Sequence, residues 1–217
     1  MKVPPGSDIT PETLLRAYAA GIFPMAQGRY ETAIHWIDPK TRGIFPLHNF
    51  HISRSLSRKI AGNPFTIRTN TAFEQVLAGC ADRPETWISA PIAAVYLALY
   101  GAGFAHSLEV WDGPDLVGGV YGVSLGAAFF GESMFSRATD ASKIALAYLT
   151  HRLLAGGYRL FDTQFLTPHL QSLGAIEIPR QDYHQRLSNA LGQQATFDPP
   201  GYSVTASGVL QRRTQTS

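Results

Sequence analysis

Two short segments carry the groups best suited to chemistry. Gly131-Glu132-Ser133-Met134-Phe135-Ser136-Arg137 delivers a carboxylate from an apolar run, and Phe161-Asp162-Thr163-Gln164-Phe165 delivers an acid and an amide two residues apart. In a strand, alternation places Asp162 and Gln164 on one face and Phe161, Thr163 and Phe165 on the other. Polar groups in such oily strands are costly to bury without partners. Asp162 and Gln164 therefore form either a hydrogen-bond network tying sheet to loop or part of a reactive site. The end of a strand just before a helix favours the second reading, because mixed α/β sheets bind ligands there. Glu132, on a face with Phe130 and Met134, is either satisfied by Arg137 or a backbone amide, or stands at the rim of an apolar pocket awaiting a cationic group. Gly131 favours the rim, since a missing side chain admits a ligand or another backbone.

Other candidates are weaker. Seven histidines (His35, His48, His51, His106, His151, His169 and His184) invite a metal, but His48 and His51 lack acidic or thiol partners at ligand spacing, and no metal is expected. Cys80, the single cysteine, reads as a packed residue rather than a nucleophile. Neither a Gly-x-Ser-x-Gly elbow nor a Walker loop occurs. Trp36 and Trp111 read as core, whereas Trp87 is either core or a stacking surface for a nucleotide base. Arg54, Arg58 and Lys59 share roughly one helix face, which is either solvated or touches phosphates.

The elements that must position these groups follow from periodicity and turn chemistry. Thr10 and Pro11 open a helix carrying Leu14, Leu15 and Tyr18 and ending near Gly21. Residues 21–49 are rich in Gly, Pro, Trp and Phe without a clear period, which predicts an irregular N-terminal lobe. A basic helix follows over residues 53–61, then a strand over 65–68 and a helix capped by Asn70. An apolar helix runs from about Ser89 to Tyr100, and strands are expected at 105–111, 116–123 and 127–135. Asp112-Gly113-Pro114-Asp115 joins the first two of these as a hairpin. A helix over 141–154, a strand over 159–165, a short helix from Thr167, a strand over 176–178 and a helix over 182–191 complete the pattern. The first residues to Asp8 read as an extended lead-in, and those after about Gly201 as frayed. Hairpins mixed with helical crossovers predict an α+β fold, a mixed sheet with helices against it.

Composition bounds the class. At 217 residues the chain can bury a sizeable core, and 45% hydrophobic with 16% charged residues suits a compact soluble protein. One cysteine excludes an internal disulfide framework and fits a reducing compartment. No leader or membrane-length apolar run is present, so the expected location is the cytoplasm. A net charge of +2 permits an acidic partner without demanding one, and nothing suggests an obligate dimer, so a monomer is expected.

With these residues in hand, the chain resembles the bacterial leucyl/phenylalanyl-tRNA–protein transferases from about Leu14 to Arg186. The matching blocks include Ala17-Tyr18-Ala19-Ala20-Gly21-Ile22-Phe23-Pro24, His51-Ile52-Ser53-Arg54-Ser55, Thr86-Trp87-Ile88 and Ala105-His106-Ser107-Leu108-Glu109-Val110-Trp111. Leu116-Val117-Gly118-Gly119-Val120-Tyr121-Gly122-Val123, Gly131 to Arg137, Ala141-Ser142-Lys143, Ser172-Leu173-Gly174-Ala175 and Ile178-Pro179-Arg180 continue them in order. The resemblance implies a small N-terminal domain over residues 1–40 and a catalytic domain over 41–217 like the GNAT N-acetyltransferases. It implies transfer of Leu, Phe or sometimes Met from aminoacyl-tRNA to the free α-amine of proteins beginning with Arg or Lys, leaving an N-terminal degradation signal.

An aminoacyl ester is already activated, so no cofactor is implied. The resemblance makes Asp162 and Gln164 the central pair, with Glu132 helping to hold the acceptor. An α-amine titrates near ~7.7–8.0, so only a minority is neutral at pH 7. A carboxamide is a very poor base, so Gln164 is expected to orient the amine through its carbonyl oxygen. Asp162 is expected to orient Gln164 and favour positive charge nearby, with a tRNA hydroxyl or water relaying the proton. Matching positions make Val120, Phe129, Met134, Leu146, Leu149, Leu153 and Phe161 the wall of the donor side-chain pocket. The chain departs from the family pattern there, with Val120 in place of Met and Leu149 and Leu153 in place of Phe. Met25 replaces a Trp, so stacking on the terminal adenosine rests more on Trp87. Arg54 and Arg58 match a basic stretch that is thinner here, which implies weak, salt-sensitive tRNA binding. The alternatives are an acetyl-CoA-dependent N-acetyltransferase and a non-catalytic tRNA-binding module. Against the first, Arg152-Leu153-Leu154-Ala155-Gly156-Gly157 lies at a helix end with Ala155 where Gly is needed. Against the second, Glu132 occurs together with Asp162 and Gln164.

Overall fold

The computed structural model describes residues 9–211 except 27, 31, 32 and 63. The expected lead-in to Asp8 lies outside the described residues. In chain order the elements are α1 (Pro11–Ala19), β1 (Phe23–Met25), β2 (His35–Ile37), β3 (Thr41–Phe45), α2 (Arg54–Ala61), β4 (Thr66–Thr69), α3 (Phe73–Ala81) and α4 (Ala90–Gly101). Then follow β5 (Ala105–Asp112), β6 (Asp115–Leu125), β7 (Ala128–Ser136), α5 (Ala141–Ala155), β8 (Leu160–Gln164), α6 (Pro168–Ser172), β9 (Ile176–Pro179), α7 (Arg180–Leu191) and α8 (Ala206–Gln211). None of the described helices is long and apolar enough to cross a membrane.

Seven strands form one mixed sheet in the order β4-β5-β6-β7-β8-β3-β9. Every neighbouring pair is antiparallel except β7 and β8. A parallel pair needs a long crossover, and α5 supplies it. Two apolar clusters sandwich the sheet. On one side, Leu14 of α1, Val76 of α3, Ile92 of α4 and Leu187 of α7 pack against Tyr121 and Phe130. On the other, Leu56 of α2, Leu146 of α5 and Val209 of α8 pack against Phe129 and Phe161.

Local chemistry explains the ends of several elements. Thr10 accepts from the Thr13 N–H, with Pro11 in the first turn, as the sequence implied. Asn70, expected to cap α3, does not. It adopts a left-handed φ of 56°, and its side chain binds His106 and the Ser107 N–H instead. The start of α3 is capped from a distant strand. The buried Glu109 carboxylate accepts the Thr71 and Ala72 N–H groups at 2.8 Å each, together with the Thr71, Ser107 and Trp111 side chains.

Three further expectations are corrected. Residues 21–49 are not irregular throughout: β1 and β2 pair with each other, and β3 enters the main sheet. The stretch after Gly201 holds α8, because Val209 buries against the α2–α5 layer. Glu132 and Met134 do not share a face. Between Tyr121 and Gly122 the β6–β7 register slips, so Gly122 faces Gly131, Tyr121 faces Ser133, and Glu132 is the extra residue of a bulge. Beyond it the parity inverts, sending Met134 to the α5 side and Phe135 to the α1–α4 side.

Candidate active site

Pairing between β7 and β8 covers only Ala128–Leu160, Phe129–Phe161 and Phe130–Asp162. Beyond that point β7 continues to Ser136 while β8 ends at Gln164, so the two strands part just where the polar residues stand. Gln164 sits in a tight turn with φ of 64°, closed by the Phe165 N–H on the Thr163 carbonyl at 2.7 Å. A non-glycine residue at positive φ in a three-residue turn is strained, and strain of this kind collects at functional sites. The turn also swings Phe165 round to meet Phe23 edge-on at 5.4 Å, rather than leaving it on the Phe161 side as simple alternation predicted.

Asp162 holds that turn. Its Oδ1 accepts the Gln164 N–H at 2.8 Å, and both oxygens accept from the Arg42 guanidinium at 2.9 and 2.6 Å. Tyr183 donates to Oδ2 at 2.8 Å, and Asp162 and Arg42 are both essentially sealed from solvent. Arg42 is further clamped between the Phe23 and Tyr183 rings, each 4.4 Å away, and donates to the Gly21 carbonyl. Burial alone would lower the Arg42 pKa, but Asp162 beside it raises it. The Asp162 carboxylate thus has the protein's own guanidinium beside it. Its Oδ1 also fixes the backbone of Gln164.

Glu132 is the contrasting carboxylate. It is 8% exposed and has no cationic partner among the described ion pairs. Tyr18 donates to Oε1 at 2.7 Å, Tyr96 to Oε2 at 2.6 Å, and the Gln164 Nε2 to Oε2 at 3.1 Å. Burial raises its pKa to about 7, against the lowering effect of these donors. Arg137, one of the partners expected for Glu132, pairs with Asp82 instead. Gly131 likewise corrects an expectation, since an added Cβ would meet the Phe161 ring at 2.8 Å. Its missing side chain makes room for core packing.

The structure thus gathers Glu132, Asp162 and Gln164 on the α1–α4 side. Arg42, Tyr18, Tyr96 and Tyr183 were missed in the sequence. In the sequence Tyr18 shows only as part of a helical stripe, and Arg42 gives no local signal, because its partner lies 120 residues away. The proposed wall residues lie on the opposite side. Val120, Phe129, Leu146, Leu149, Leu153 and Phe161 are buried together in the α5 cluster, while Met134 is half-buried. Met134 borders a groove of about 450 Å³ that is also lined by Arg83, Arg137 and His169. Met25 and Trp87 are partly buried against the α1–α4 cluster, and Trp87 meets Tyr96 edge-on. Arg54 and Arg58 are exposed on α2, whereas Lys59 lies over the Phe65 ring. Arg152, of the segment weighed as a pyrophosphate loop, lies in the last turn of α5 and binds Asp198.

Comparison with known proteins bears on this constellation. The family model described as leucyl/phenylalanyl-tRNA protein transferase matches residues 44–188, and the model of that enzyme's N-terminal domain matches residues 7–40. A leucyl/phenylalanyl-tRNA–protein transferase of Cereibacter sphaeroides is 62% identical over 209 residues, covering 96% of this chain and 98% of the relative. One from Ruegeria pomeroyi is 56% identical over 209 residues, covering 96% and 99%. One from a Jannaschia species is 58% identical over 189 residues, covering 87% and 89%.

Proposed function

The chain belongs to the leucyl/phenylalanyl-tRNA–protein transferase family, an aminoacyltransferase family, and we propose that it moves Leu, Phe or Met to the α-amine of proteins beginning with Arg or Lys. The product would carry a signal for degradation, and the enzyme would act in the cytoplasm as a monomer. The observation that carries this reading is the contact between Gln164 and Glu132, at the point where β7 and β8 separate.

The donor is an activated ester, so the enzyme's task is to hold an uncharged amine against the carbonyl carbon. Gln164 uses its Nε2 on Glu132, which leaves its carbonyl oxygen to accept from the amine. Asp162 and Arg42 keep the strained turn in place, so that oxygen points in one direction. Glu132 stands beside it, able to counter the positive charge of a basic acceptor. Across the sheet, Val120, Phe129, Met134, Leu146, Leu149, Leu153 and Phe161 would receive the donor side chain. Met25 and Trp87 would contact the terminal adenosine, and Arg54 and Arg58 the phosphates of the acceptor stem.

The test is incubation with labelled Leu-tRNA and peptides beginning with Arg, Lys or Ala. Label in the first two peptides alone is the expected result. Label in all three, in none, or from acetyl-CoA instead would overturn the reading.

A further inference from the structure

The Tyr18, Tyr96 and Glu132 oxygens form a closed triangle. Tyr18 Oη lies 2.7 Å from Glu132 Oε1, Tyr96 Oη lies 2.6 Å from Oε2, and the two phenol oxygens lie 2.8 Å apart. All three separations are those of O–H···O hydrogen bonds, and each such bond needs its own proton. The two phenols supply only two. With Glu132 ionised, both are drawn to the carboxylate, and the phenol–phenol edge has none. With Glu132 protonated, the third proton closes the ring. The cluster is therefore built to hold a carboxyl group in either state, at the difference of one hydrogen bond.

We propose that Glu132 is the group that takes the proton from the attacking amine and returns it to the departing tRNA hydroxyl, with Tyr18 and Tyr96 as its positioning residues. This rests on the transferase reading above and specifies where the proton goes.

The surroundings of Glu132 suit that task. Tyr18 faces it from α1, Tyr96 from α4, Tyr121 from β6, and Gln164 and Asp162 from β8, with Arg42 of β3 behind Asp162. Arg42 is committed to Asp162 in a two-point contact, so that carboxylate is tied up in a buried ion pair. Glu132 has no such restraint. Burial first, and the Glu132 charge second, raise the pKa of Tyr18 and Tyr96 far above neutrality, so both remain proton donors throughout. The Glu132 carboxyl, at about 7, populates both of its states near neutral pH, as a group that must both accept and donate requires.

The step balances. The amine lone pair attacks the ester carbon, forming the C–N bond and placing charge on the carbonyl oxygen. Ionised Glu132 takes one N–H proton, directly or across one water, from an amine held on the Gln164 carbonyl oxygen. The carbonyl re-forms, the ester C–O bond breaks, and the leaving ribose oxygen takes that proton back. An amide and a free hydroxyl result, and Glu132 ends ionised as it began.

The experiment is single-turnover transfer from saturating Leu-tRNA to an Arg-peptide, from about pH 5.5 to 9, for wild type, Tyr18→Phe, Tyr96→Phe and Glu132→Gln. Absence of transfer by the wild type would sink the transferase reading itself. Given transfer, Glu132→Gln is expected to be ~10²–10⁴-fold slower and to retain only the titration of the peptide amine. Each Tyr→Phe change removes a donor that favours the ionised carboxyl, so the enzyme-borne acid limb should move up by about one pH unit. The amine titrates identically in all four proteins, so a displaced limb belongs to the enzyme. An unmoved limb, or Tyr variants slowed equally at every pH, would overturn the proposal. Difference infrared spectroscopy of the protein alone gives a second readout. A protonated-carboxyl band lost with a midpoint near neutrality in wild type and missing in Glu132→Gln is expected, and no such band in wild type would refute it.

Discussion

Gln164 Nε2 lies 3.1 Å from Glu132 Oε2, although the two residues stand on strands that stop pairing at Phe130 and Asp162. The contact bridges a gap in the sheet rather than a ladder, and two separate irregularities produce it. A bulge makes Glu132 the unpaired residue of β7, and a left-handed turn ends β8 at Gln164. Neither element makes this contact by regular geometry alone.

Gln164→Gly should separate stability from function. Glycine tolerates the 64° φ, where other residues lose roughly 1–2 kcal/mol, partly offset by the entropy that glycine gives up. Thermal unfolding should therefore show a midpoint equal to or slightly above wild type, while transfer slows.

Breaking the buried ion pair should instead cost stability. Arg42→Met leaves Asp162 charged and sealed, at an expected cost of about 3–5 kcal/mol in denaturant unfolding. Adding Asp162→Asn removes the stranded charge, and its amide can still accept the Gln164 N–H through Oδ1 while donating to the Tyr183 hydroxyl oxygen through Nδ2. The double variant should thus be more stable than Arg42→Met alone.

The Glu132 carboxyl makes stability depend on pH with a defined sign. Its pKa is raised from 4.5 to about 7 on folding, so its contribution is fully present below 4.5 and lost as pH rises through about 7. That loss is on the order of 3 kcal/mol by pH 8. Glu132→Gln should flatten this part of the profile, measured as the unfolding midpoint from pH 5 to about 8, and should exceed wild type in relative stability at the alkaline end.

The apolar wall offers a specificity test. Leu149→Ala should cost ~2–5 kcal/mol of stability, because Leu149 is 1% exposed and its removal leaves a cavity. The same cavity should favour Phe over Leu as donor, by roughly 10–200-fold at most. Competition between Phe-tRNA and Leu-tRNA measures the ratio, and an unchanged ratio would remove Leu149 from the wall.

Arg54→Ala and Arg58→Ala should each weaken tRNA binding regardless of base sequence. Each should lower the slope of log affinity against log salt by about one. Filter binding across a salt series reads this directly.

Much of the fold was legible because its signals are local. Thr10 with Pro11, the Asp112–Asp115 turn and the apolar runs of β5, β6 and β7 each declare themselves within a few residues. The site was legible only in part. Glu132, Asp162 and Gln164 stand out as polar residues in apolar strands, but Arg42 and Tyr183 reach Asp162 across 120 and 21 residues. The bulge at Glu132 was hidden for a different reason: alternation assumes an unbroken register, and the slip appears only when β6 is laid beside β7.

A double-mutant cycle on Glu132 and Gln164 tests their joint role most directly. Single-turnover transfer would be measured for Glu132→Gln, Gln164→Gly and the pair together, with Leu-tRNA affinity followed in the same preparations. Because the two side chains act as a bonded unit, both single variants should be slow, tRNA affinity should hold, and the double variant should be little worse than the slower single. Wild-type rates in either single variant, or losses that simply multiply in the double, would contradict a shared catalytic centre.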